Sequence, residues 1–175
     1  TDKLSQHYDS QYQYVATNVV LYLMKSLLSK GYCLYFDNWY NSVELTRCLI
    51  ANNTDVIGTL RQNRRGLPKE LFKLNLTLGQ CANADQHNKI MVTKWKDSRN
   101  VHLISTCVDG EKWVSVKRAG KQKDVPLVIH LYNENMGGVD RADQMCSSYS
   151  PERKRVKKWY KKSFMHLLNE VVFNS

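Results

Sequence analysis

Two stretches of this 175-residue chain carry carboxylates in settings that suit metal-assisted chemistry. In Tyr35-Phe36-Asp37-Asn38-Trp39-Tyr40-Asn41-Ser42 an acid follows directly on an apolar, aromatic run. About a hundred residues later, Met136-Gly137-Gly138-Val139-Asp140-Arg141-Ala142-Asp143-Gln144 supplies two more. Carboxylates held at the ends of buried elements are hard oxygen donors, the kind Mg²⁺ takes in small number, and two-metal phosphoryl transfer is built on them. Each acid also has a structural role open to it. Asp37 can be a turn or cap residue, with Asn38 and Ser42 beside it. Asp140 and Asp143, three apart, share a helix face if helical, where the dipole of a helix N-terminus stabilises them without any metal.

The elements that must position these acids can be read from the apolar spacing. Val15, Val19, Val20, Leu23, Met24 and Leu27 recur at three and four, which predicts an amphipathic helix over Ala16 to Ser29, ended by Gly31. Cys33 to Phe36 predicts a short buried strand with Asp37 at its carboxyl end. Ser42 is placed to cap a following helix with Glu44 in its first turn, and Leu45, Leu49 and Ile50 form its apolar face up to Asn52 or Asn53. Val56 to Leu60 predicts the next strand, so residues 1–62 show an α/β pattern with parallel pairing.

From Arg61 the texture changes. Arg61, Arg64 and Arg65 lead to Gly66-Leu67-Pro68 and a short helix, and after Gly79 come strand-like segments at Lys89 to Trp95, Val101 to Thr106 and Lys112 to Lys117. The turn signals Asp97-Ser98-Arg99-Asn100 and Asp109-Gly110 separate them as in an antiparallel meander. Residues 63–125 therefore read as a β-rich insertion that divides an α/β unit into 1–62 and 126–175. Val125 to His130, extended around Pro126, is expected to return to the core as a strand. A last helix is expected to begin at Ser150-Pro151-Glu152, with Val156, Tyr160, Phe164, Leu167, Leu168, Val171 and Val172 at helical spacing.

The net charge of +10 is unevenly placed: four basic and five acidic residues in 1–60, fourteen and six in 61–125, eight and five in 126–175. Seven cations, Arg153, Lys154, Arg155, Lys157, Lys158, Lys161 and Lys162, crowd ten positions around Trp159. With Arg61, Arg64 and Arg65 they form a candidate phosphate-binding set, and nucleic acid is the polyanion such asymmetry favours. Five widely spaced cysteines without a C-x-x-C pair argue against a disulfide framework and a zinc module, and suit a reducing compartment. His166 and Glu170 share an i,i+4 spacing that reads as an exposed helix face. The longest apolar run, Val19 to Met24, is far too short to span a bilayer, and the chain reads as a fragment cut at both ends.

The Tyr35–Ser42 stretch, Ile57-Gly58-Thr59-Leu60-Arg61-Gln62-Asn63-Arg64-Arg65-Gly66-Leu67-Pro68, Val92 to Asp97 with Leu103 to Thr106, and Tyr132-Asn133 followed by Met136 to Asp140, Asp143 to Cys146 and Tyr149 resemble the piggyBac transposase family in matching order. The resemblance implies an RNase H-like core interrupted by a β-strand insertion, here incomplete because its first strands are missing. It implies nuclear cut-and-paste transposition at TTAA targets, with Mg²⁺ held by three Asp. Asp37 matches the second catalytic Asp, Asp140 the third, and Asp143 a further acid close to the metal. The first catalytic Asp belongs to an earlier strand, and neither Asp2 nor Asp9 matches it, so the chain is expected to be inactive alone. DNA is the expected partner, with a second copy of the chain a further candidate. The rival expectation is a domesticated, non-catalytic DNA- or chromatin-binding protein of the same descent.

Overall fold

A computed structural model describes residues 15–86, 89–118, 120–148 and 158–173. The chain forms two compact units, residues 1–136 and 137–175. The first begins with helix α1 (Val15–Met24), strand β1 (Cys33–Phe36), helix α2 (Val43–Ala51) and strand β2 (Asp55–Thr59). A short helix α3 (Lys69–Lys73) precedes β3 (Cys81–Gln86), β4 (Ile90–Lys96) and β5 (Asn100–Ser105). The hairpin β6 (Trp113–Arg118) and β7 (Lys121–Pro126) follows, then helix α4 (Leu127–Asn135).

Five strands form one mixed sheet in the order β1-β2-β5-β4-β3, and β6 and β7 pair separately. β1 and β2 are parallel, joined through α2 as the sequence predicts, and every other pairing is antiparallel. Period-two alternation sorts the side chains. Val56, Val92 and Ile104 enter a core with Val20, Leu21, Met24, Leu45, Leu49 and Leu71 from α1, α2 and α3. Their neighbours Ile57 and Leu103, with Trp95, join a second core with Val125, Val128 and Ile129 of β7 and α4. The sheet is thus covered on both faces, which suits the near-continuous apolar character of β2 and β5.

The α2 boundaries follow the predicted chemistry. Ser42, extended at φ −154° and ψ 155°, accepts a hydrogen bond from Leu45 N at 3.1 Å through its Oγ, satisfying one of the free amides of the first turn. Lys94, buried within β4, donates from Nζ to Phe72 O at 2.8 Å and Leu74 O at 2.7 Å. An ammonium can lie inside the sheet there because the last carbonyls of α3 neutralise it.

Three expectations are corrected. α1 stops at Met24, and it turns Thr17, Val20, Leu21 and Met24 inward, while Val15 and Leu23 are 79% and 68% exposed. Both stripes of this helix are apolar, so hydropathy alone leaves its rotation undetermined. β3 was hidden by its weak strand composition, Cys-Ala-Asn-Ala-Asp-Gln; Ala82 and Ala84 are the side chains it sets against the first core. Val125 to His130 is not a strand. β7 ends at Pro126, and the helix begins at Leu127, where a proline at the cap position costs no helical donor.

The second unit contains helices α5 (Gly138–Ser148) and α6 (Trp159–Phe173). The predicted helix start at 150–152 and Val156 lie outside the described residues.

Candidate active site

β1 ends with buried Phe36, and the chain turns at once into the loop that presents Asp37. Asp37 Oδ1 accepts from Trp39 N at 3.0 Å, an Asx-type turn that orients the half-buried carboxylate at the carboxyl end of a parallel strand. Such strand ends are where open α/β sheets gather their chemistry.

Four hydrogen bonds and one cation–π contact fix this loop. Asn41, fully buried, reaches across to donate from Nδ2 to Thr59 O at 2.8 Å, past Gly58, which pairs with Phe36. Only glycine fits at 58, because a Cβ there would lie 2.7 Å from both Asn41 Nδ2 and Phe36 O. Arg61 Nε donates to Asn38 Oδ1 at 2.9 Å, with its guanidinium 5.1 Å from the Trp39 ring centroid. Arg64 donates to Asn38 O at 3.2 Å and Trp39 O at 2.6 Å. A guanidinium suits this task because its rigid fork serves two acceptors at once. Arg61 and Arg64, which the sequence offers as candidate phosphate contacts, brace the loop that carries Asp37, and Arg65 is exposed.

An open cavity of about 600 Å³ adjoins the loop, lined by Asn38, residues 59–63 and residues 99–102, with Arg61 and Arg99 as its cations. His102, on its wall, lies 3.4 Å from Gln62 Nε2 through its own Nε2 and edge-on to Phe72. Burial, and then the Lys94 ammonium, hold its pKa below the usual histidine range. Asn41 Oδ1 is buried without a hydrogen-bond partner among the described residues.

In the second unit, Asp140 lies in the first turn of α5 and Asp143 three residues on, both exposed. Lys158, Lys161 and Lys162 are exposed at the start of α6, with Lys158 Nζ 5.8 Å from the Tyr160 ring centroid. Arg153, Lys154, Arg155 and Lys157 lie outside the described residues, as do Asp2 and Asp9. His166 and Glu170 form an exposed pair at 3.3 Å. Among the described residues, no three His, Cys, Asp or Glu side chains gather closely enough to hold an ion. No helix among them is long and apolar enough to cross a membrane. The bracing roles of Asn41 and Gly58 leave little trace in the sequence, where an Asn four positions after a strand-end Asp reads as an ordinary loop residue.

The chain belongs to the DDE transposase family described as Transposase IS4, whose model matches residues 1–175. Within that family the similarity is to piggyBac transposases, as the ordered motifs imply. The human PiggyBac transposable element-derived protein 2 is 27% identical over 172 residues, 90% of this chain and 29% of that protein. The human PiggyBac transposable element-derived protein 3 is 26% identical over 153 residues, 82% of this chain and 26% of that protein. A piggyBac transposase solved by cryo-electron microscopy in a synaptic complex with hairpin DNA superposes with a TM-score of 0.77 at 25% identity, covering 94% of this chain and 34% of its own. The chain thus spans about a third or less of the length of these relatives. It has the mixed α/β fold of a piggyBac transposase, with a five-stranded sheet and a separate hairpin. Transposases of the DDE type typically work with Mg²⁺.

Proposed function

We propose that the protein containing this chain cleaves and joins DNA strands at transposon ends, with TTAA as target, and that this chain supplies part of the catalytic domain. The observation that carries the reading is the mounting of Asp37, an acid at a parallel strand end whose loop is held by Asn41, Arg61 and Arg64. Asp37 and Asp140 are the metal ligands in this reading, and Asp143 is an auxiliary acid. All are hard oxygen donors. Mg²⁺, when bound, supplies activation of water or a terminal 3′-hydroxyl and neutralisation of the in-line phosphate. Arg64 and Asn41 keep Asp37 from swinging away from that position, and Arg61 and Arg99 offer cations to a phosphate in the adjoining cavity.

The lysines of α6 support DNA as the partner. Cations at a helix N-terminus oppose its dipole, so Lys158, Lys161 and Lys162 are best satisfied by a polyanion laid against them. Arg65, Arg153, Lys154, Arg155 and Lys157 are proposed as further phosphate contacts from their charge in the sequence. The fold is read as an RNase H-like core from 1–62 and 126–175 with an insertion at 63–125. The β2–β5 pairing supports an insertion whose strands extend the core sheet. The family's first catalytic Asp is matched by neither Asp2 nor Asp9, so residues 1–175 by themselves are read as inactive. A second copy of the chain and a nuclear site of action complete the reading.

Strand cleavage of a duplex carrying transposon ends, measured with the intact protein and Mg²⁺, tests this. Asp37→Asn and Asp140→Asn should each lower the rate by about 10³-fold or more, several kcal/mol of charge stabilisation, while Asp109→Asn changes nothing. Undiminished cleavage by Asp37→Asn would remove that residue from the site. Steeply salt-dependent DNA binding by an intact protein that never cleaves would leave the non-catalytic, DNA-binding descendant as the function.

A further inference from the structure

Two thiols outside this site lie against each other. Cys33 opens β1 and Cys107 follows β5, 74 positions apart in the chain, yet their Sγ atoms are 3.9 Å apart. The sheet explains the approach. β1 and β5 flank β2, and Cys33 is aligned with Asp55. The β2–β5 register, in which Ile57 faces Ser105, reaches Cys107 at the same level. Thr106 fixes the turn: its N donates to Val56 O at 3.0 Å, its Oγ1 accepts from Val56 N at 2.9 Å and donates to Asp55 Oδ1 at 2.8 Å. Ser105 Oγ donates to Val108 O at 2.9 Å one step away. Both thiols are therefore mounted on hydrogen-bonded backbone.

Their environments differ in a useful way. Cys107 is exposed and Cys33 half-buried, so a small oxidant can reach the pair. The hydrogen bond between them lowers the pKa of Cys33, opposed by burial and the nearby Asp55 carboxylate and assisted by Tyr35, and it raises that of Cys107, as burial and Asp55 also do. One sulfur is thereby favoured as thiolate and the other retained as thiol. Cys48 is buried in the core, and burial pushes the Cys81 thiol up to about 11, so neither offers a ready thiolate.

We propose that Cys33 and Cys107 are a reversible oxidation site that closes to a disulfide under hydroperoxide, fastening the strand that ends at Asp37 to β5 across β2. The Cys33 thiolate attacks a peroxide oxygen and the O–O bond breaks, giving the Cys33 sulfenic acid and, with the proton that Cys33 released, water or an alcohol. The Cys107 sulfur then attacks the Cys33 sulfur. The S–O bond breaks, and water leaves with the Cys107 proton. Two electrons pass from the sulfurs to the peroxide, and an external thiol reverses the change. The S–S bond requires about 2.05 Å and Cα atoms within about 7 Å, and β1 and β5 stand two strand spacings of about 4.8 Å apart, so closure draws the backbone of the turn at Cys107 toward β1.

The test uses hydrogen peroxide on the intact, reduced protein, followed by mass spectrometry of alkylated digests. The expected result is a loss of about 2 Da per chain, with one Cys33–Cys107 crosslinked peptide that dithiothreitol removes. Cys107→Ser should stop at the Cys33 sulfenic acid, captured as a dimedone adduct, and Cys33→Ser should yield no adduct at Cys107. If both cysteines remain open to iodoacetamide after peroxide treatment, or if the crosslink joins other cysteines instead, the proposal is overturned. No DNA enters this measurement, so its outcome is separate from that of the cleavage assay.

Discussion

Asp37 and Asp140 are both acids at the start of polar segments, but the regions that carry them are built differently. The loop after β1 is fixed by a buried asparagine, two arginines and a serine cap, and it sits over cores that include Leu45, Leu49, Val56 and Ile57 at zero exposure. Helices α5 and α6 leave Val139, Met145, Phe164, Leu167 and Val171 exposed, and Asn169 is the single buried residue among the described ones of that unit. The first acid is held by tertiary packing, and the second stands on a helix whose described apolar side chains Val139 and Met145 are exposed. Helices of this length draw most of their stability from a covered apolar face. The difference teaches that order at the two acids has different sources, and so fails under different substitutions.

The largest contrast should come from the cores. Leu49→Ala, at zero exposure, should cost about 2–5 kcal/mol of unfolding free energy, whereas Leu167→Ala, 58% exposed, should fall within about 0.5 kcal/mol. Denaturant titration of both variants measures this, and equal losses would erase the distinction between the regions. A sharper probe compares glycines. Gly58→Ala forces a methyl against Asn41 and the Phe36 carbonyl and should cost about 1–3 kcal/mol, while Gly138→Ala meets nothing within 4 Å and should be neutral or mildly stabilising. The smallest effect concerns His102, a buried ring of the first region. Its folded pKa lies below its unfolded value, so the unfolded chain binds more protons between the two. Stability is full above about pH 6.5 and declines as pH falls from there toward the folded pKa; His102→Gln should flatten that slope in pH-dependent thermal melts.

Legibility in the sequence followed the same division. The β1–α2–β2 segment and Asp37 at its strand end were readable because local chemistry, Ser42 and Glu44 at the helix start and Asn52 at its end, agrees with the tertiary arrangement. The rotation of α1 was not, since two apolar stripes compete and only the sheet selects one. Arg61 and Arg64 were legible as charge but not as braces, because their acceptors are backbone carbonyls and an amide more than twenty positions away. Lys94 inside β4 and the Cys33–Cys107 contact belong to the same class. Contacts made by chain reversal leave no periodic trace.

The crossing of Asn41 over Gly58 has a consequence for descent. Neither position is free to change while the other stays: a side chain at 58 evicts the amide, and loss of the amide leaves Thr59 O and the loop end without their tie. A lineage that kept this loop would inherit the two residues as one character, and a lineage that abandoned it would be released from both together.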